Sequence, residues 1–140
     1  MTENQINPDL SPDVVAIVGN PRRDSRTLKL AGGVADGLAT HFGNRPAVAI
    51  DLVDLDVGMG CFPPEVNRLV ASAQVVIAAS PTVMAADVHL RPALLELGAT
   101  CSTPSLVALE SELASLGTEG LVTAWLERST SWLAVMPLPR

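Results

Sequence analysis

The chain has 140 residues, 48% hydrophobic and 17% charged, with a formal net charge of -6. That length supports one core burying about two-thirds of the unfolded surface, and the composition excludes a disordered, highly charged chain. The acidic balance argues against nucleic acid or an anionic membrane as the main partner, and no apolar run approaches the ~20 residues of a membrane span.

Met1 to Asp13 is polar and lacks the charged, apolar and small-residue sectors of a signal peptide, so a cytoplasmic protein is expected. We read 1–13 as an N-terminal arm and 14–140 as one domain. Val14 to Thr27 then reads V-V-A-I-V-G-N-P-R-R-D-S-R-T. The unbroken apolar run Val14 to Val18 predicts a buried parallel strand, and Gly19 with Pro21 predicts a sharp turn. A helix opening at Ser25 to Thr27 would present unpaired N–H groups, the positive end of its dipole and two hydroxyls to an anion. Arg22, Arg23 and Arg26 are three of only nine Lys and Arg residues, and their clustering favours an anion site over a plain helix cap. The loop Asn20 to Thr27 is thus a candidate phosphate cradle.

Leu28, Ala31, Ala35, Leu38 and Phe42 recur at helical spacing and predict a first helix with a core-facing stripe. Gly32, Gly33 and Gly37 weaken it by about 1 kcal/mol each against Ala. His41 at its end reads as a residue meeting the helix dipole. Strand two is expected over Ala47 to Leu52, a loop over Val57 to Phe62, and a helix over Pro64 to Ala71, begun by proline. Strand three follows at Val75 to Ala79. Ser80, Pro81 and Thr82 form a loop, and a helix is expected over Asp87 to Leu97. His89 lies in its first turn, on the side where open α/β sheets bind ligands. Asp87 is its neighbour or charge partner, and both are candidate catalytic residues as well as ordinary helix-start residues. A fourth strand is expected over Leu106 to Leu109.

The last helix places Leu121, Val122, Trp125, Leu126, Trp132 and Leu133 mostly on one face, which reads as core. The apolar tail residues Val135, Met136 and Leu138 point to a homo-oligomer or to docking on another subunit. Cys61 and Cys101 are isolated and give no metal signature, so both are read as reduced thiols and no metal is expected.

Several of these motifs together resemble one family. G-N-P-R-x-x-S-R-T at Gly19 to Thr27 is similar to the FMN-phosphate loop of the flavodoxin-like NAD(P)H-dependent FMN reductases. V-V-I-A-A-S-P-T at Val75 to Thr82 is similar to that family's third strand and S-P-T-Y flavin loop. H-L-R-P-A-L-L-E-L-G-A at His89 to Ala99 looks like its fourth helix, and L-V-A-L-E-S-E-L with the later A-W-L-E-R looks like its last strand and helix. The resemblance covers nearly the whole chain after Pro12. It implies a three-layer, doubly wound parallel sheet and an FMN cofactor reduced by NAD(P)H. By the same resemblance Asn20, Arg22, Ser25, Arg26 and Thr27 would hold the phosphate, and Ser80, Pro81 and Thr82 the ring and ribityl chain.

The chain departs from that family between Thr82 and Asp87, where only V-M-A-A stands. Roughly one strand-plus-helix unit of ~30 residues is absent there, and Val83 occupies the place of the family's tyrosine. One right-handed crossover can still join strand three to Leu106 to Leu109, so four strands in the order 2-1-3-4 are expected. Flavin reduction is largely the cofactor's own chemistry, but the ring must be held against the nicotinamide, so poor reductase activity is expected of the isolated chain. Two alternatives stay open: a flavin-free protein of the same fold that takes another small molecule at Ser80 to His89, and a non-catalytic partner subunit of a full-length flavoprotein.

Overall fold

The structure is a computed structural model and describes residues 11–55, 63–82, 85–96, 101 and 103–134. The chain divides into two compact units, Met1–Ala79 and Ser80–Arg140. The expected loop at Val57 to Phe62, Cys61, Val83 and the apolar tail from Val135 lie outside the described residues. No helix among the described residues is long and apolar enough to cross a membrane.

The first unit is an α/β layer structure around three parallel strands, β1 (Val14–Val18), β2 (Ala47–Asp51) and β3 (Val75–Ala79), in the order β2-β1-β3. β1 takes the central place because its apolar run can be buried on both faces, as the parallel sheet requires. The register pairs Val14 with Ala47 and Val75, and Val18 with Asp51 and Ala79. Helix α1 (Arg26–His41) packs on one face, where Val14, Ala16 and Val18 meet Ala31, Ala35 and Ala39. Helix α2 (Pro64–Ser72) covers the other, where Val15 and Ile50 meet Val66 and Leu69. The alanines on both sides let α1 approach the sheet closely, and this packing carries a helix whose glycines weaken it intrinsically.

Part of the expected arm belongs to this unit. Pro12 is fully buried, and Asp13 donates its N–H to the Pro46 carbonyl while its own carbonyl accepts from Gln74 and Val75. Arg45 also meets the Asp13 carboxylate at 3.5 Å. Asp13 thereby ties the amino-terminal ends of all three strands together. At the opposite end β2 stops one residue earlier than expected, because the Asp51 side chain accepts from the Val53 N–H and turns the chain into a 3-10 helix at Leu52–Asp54.

The second unit holds a π-helical turn at Ala85–Leu90, helix α3 (Arg91–Glu96) and helix α4 (Glu110–Leu133). The helix expected over Asp87 to Leu97 is therefore two pieces, with Leu97 outside the described residues. Pro92 has no N–H to give and its ring crowds the carbonyl four residues back, which widens the preceding turn. The sheet contains three strands among the described residues, not the expected four. Leu106 to Leu109 is not a strand, because the polar groups around it go to side chains. Arg91 donates to the Cys101 and Thr103 carbonyls at 3.0 and 2.8 Å and to the Ser105 hydroxyl at 3.0 Å. Trp125 donates to the Pro104 carbonyl at 2.9 Å. The Leu109 N–H donates to the Glu112 carboxylate and starts α4.

α4 is kinked at Gly117, whose φ of 68° and ψ of 174° leave the helical region. Beyond the kink Leu121, Val122, Trp125 and Leu133 are buried as expected, together with Ser129. Trp132, also expected in the core, is 51% exposed.

Candidate functional site

The loop from β1 to α1 is fixed by its own side chains. Gly19 extends the ladder past Val18 by donating to the Ala79 carbonyl at 2.9 Å. The sharp turn falls at Asp24, whose φ of 50° is left-handed, and not at Gly19, which the sequence suggested. Asp tolerates that region through its short polar side chain. Asn20 spans the loop: its Oδ1 accepts from the Arg22 N–H at 3.0 Å and its Nδ2 donates to the Thr27 hydroxyl at 2.9 Å. Ser25 is the N-cap of α1, with extended backbone, and its Oγ accepts from the Leu28 N–H at 3.1 Å.

These bonds leave hydrogen-bond donors at the start of α1. Ser25 is buried and its oxygen serves the helix, but its O–H proton remains to be donated. The Thr27 hydroxyl likewise accepts from Asn20 and keeps a proton to give. The first-turn N–H groups point along the helix axis toward the loop, where the dipole favours negative charge.

The three arginines are not equivalent. Arg23 forms an ion pair with Asp54, which joins the loop to the turn after β2 and uses up that charge. Arg22 is exposed, and its guanidinium has no partner among the described residues. Arg26, at the first position of α1, is exposed as well and engages in further interactions. The carboxylates of Asp24, Asp51 and Asp54 lie in or beside the same loop, so the loop is close to neutral and offers local hydrogen-bond donors rather than a broad positive field.

Asp51 is the residue the sequence reading passed over. It is the last residue of β2 and 4% exposed. Its Oδ1 accepts from Val53 at 3.4 Å, while Oδ2 is buried with no hydrogen-bond partner among the described residues. An acid closing a strand at the carboxyl edge of a parallel sheet was the available signal.

In the second unit Ser80, Pro81 and Thr82 form a short turn in which the Ser80 hydroxyl accepts from the Thr82 N–H at 3.4 Å. Pro81 and Thr82 are exposed. Asp87 is exposed and accepts from the Ser105 hydroxyl, with the Arg91 guanidinium at 3.6 Å. Its carboxylate belongs to the network that pins Cys101, Thr103 and Ser105 to the helical turn. His89 lies in that turn, and its side chain lies outside the described residues. Cys101 is a free, half-buried thiol. Among the described residues no cluster of His, Cys, Asp and Glu could hold a metal ion. No family model matches the chain, and neither a curated protein nor a solved structure does.

Proposed function

We propose that this chain binds the phosphate of a small-molecule cofactor, FMN, at the loop Asn20 to Thr27, in a shortened flavodoxin-like layout related to the NAD(P)H-dependent FMN reductases. The observation that carries this reading is the Ser25-capped start of α1 at the carboxyl ends of β1 and β2, braced by the Asn20 to Thr27 bond. The first-turn N–H groups, the Ser25 and Thr27 hydroxyls and Arg22 would hold the phosphate through charge-assisted bonds. FMN, once bound, supplies hydride and electron transfer itself. The protein's part is to hold and orient it. With only four residues between Thr82 and Asp87, we expect slow NAD(P)H oxidation by the chain alone.

The test is FMN titration followed by quenching of flavin fluorescence. Replacing Arg22 and Ser25 together by Ala should weaken binding by roughly 2 to 4 kcal/mol, the loss of two contacts to a charged group. Unchanged affinity would show that the loop serves only the fold.

A second reading, a subunit that works by association, is favoured by the large apolar residues exposed in the second unit: Leu109 at 59%, Leu116 at 55% and Trp132 at 51%. Light scattering on a Trp132→Gln variant tests it, with a shift from oligomer to monomer expected.

A further inference from the structure

The register places Asp51 opposite Val18. Val18 packs against α1, and because side chains alternate across a strand, Asp51 faces the α1 side of the sheet as well. In a parallel β-α-β unit the helix runs back along the strands, so the first turn of α1 lies at the end of the sheet where Asp51 sits. The Arg23 to Asp54 ion pair holds the turn after β2 against the same loop. Asp51 thus presents a buried carboxylate oxygen, without a partner among the described residues, beneath the first turn of α1.

A buried carboxylate oxygen lacking a hydrogen bond is costly, and an ionised carboxylate can only accept. A phosphate cannot supply what it needs, since two anions repel. A neutral donor can. With the phosphate held by the N–H groups of α1, the donor must come from the uncharged part of the same ligand. We propose that Asp51 accepts a hydrogen bond from a hydroxyl of the ligand, so that the β1–α1 site selects phosphomonoesters of polyhydroxylated chains, such as polyol or pentose phosphates and nucleotides built on them, over simple alkyl phosphates. This selectivity rests on the phosphate-cradle reading and adds to it a second anchor of opposite chemistry.

Calorimetric titration of the full chain with ribitol 5-phosphate and with pentyl phosphate, which share chain length and phosphate, separates the two ideas. The expected result is that ribitol 5-phosphate binds about tenfold tighter, the effect of one hydrogen bond to a charged acceptor. Asp51→Asn should erase most of that preference and bind pentyl phosphate at least as tightly as the parent, since one carboxylate that repels the phosphate is gone, with a urea midpoint equal to or above that of the parent. Equal binding of the two ligands by the parent chain would overturn the role of Asp51 and leave the cradle standing. This comparison needs no variant. An unaltered preference in folded Asp51→Asn would overturn it too, and failure of both ligands to bind would overturn the cradle and the selectivity together.

Discussion

Replacing Ser25 separates the helix cap from the ligand site. In Ser25→Ala the Leu28 N–H loses its acceptor, a bond of 3.1 Å from a residue only 8% exposed. Water reaches such a donor poorly, so the loss should fall in the upper half of the usual range for N-caps, about 1.5 kcal/mol. If the whole chain unfolds together, that lowers Tm by about 5 °C; if the first unit unfolds alone, its smaller unfolding entropy makes the drop about 9 °C. Both tryptophans lie in the second unit. Far-ultraviolet circular dichroism therefore follows both units and tryptophan fluorescence only the second, and the two melting curves tell the cases apart. Ser25→Asp should keep the cap, interact favourably with the helix dipole by about 0.3 to 1 kcal/mol, and yet repel a phosphate. Stability and FMN binding should then move in opposite directions. Equal stability of Ser25→Ala and the parent would refute the capping argument, and FMN affinity retained in Ser25→Asp would refute the cradle.

Gly32 sits inside α1 with nothing within 4 Å of an added Cβ, so Gly32→Ala should raise stability by about 0.5 to 1 kcal/mol in urea denaturation. The buried Ser129 hydroxyl has no partner among the described residues, and Ser129→Ala should stabilise the second unit by about 1 kcal/mol, read as a higher fluorescence midpoint. Gly117→Ala forces a side chain onto a φ of 68° and should cost about 1 kcal/mol or more in the same assay. Arg91→Leu strips donors from the Cys101 and Thr103 carbonyls and the Ser105 hydroxyl. It should destabilise the second unit by about 2 to 3 kcal/mol and shift Trp125 emission, since Trp125 bonds to the segment that Arg91 pins.

The elements governed by local pattern were legible in the sequence. β1 and β3 carry unbroken apolar runs and fall where those runs do, and the alanine and leucine stripe of α1 marks its buried face. The elements governed by side-chain competition were not. Leu106 to Leu109 has the composition of a buried strand, but Arg91, Trp125 and Glu112 claim the polar groups around it, and only folding brings those side chains near. The helix expected over Asp87 to Leu97 took no account of Pro92, and the π-helical turn before that proline depends on the register of its own turn. In the candidate site Ser25 and Asn20 stood out by residue type and position. The loss of Arg23 to Asp54 and the burial of Asp51 did not, because both follow from the turn that ends β2.

The most direct test is a paired titration of the purified chain with FMN and riboflavin, which differ only in the phosphate. A cradle at the start of α1 predicts that FMN binds at least about tenfold more tightly, the contribution of one or more hydrogen bonds to a charged group, and that Ser25→Asp removes the difference. Equal affinity for FMN and riboflavin, or binding of neither, would contradict the assignment of the β1–α1 loop as a phosphate site.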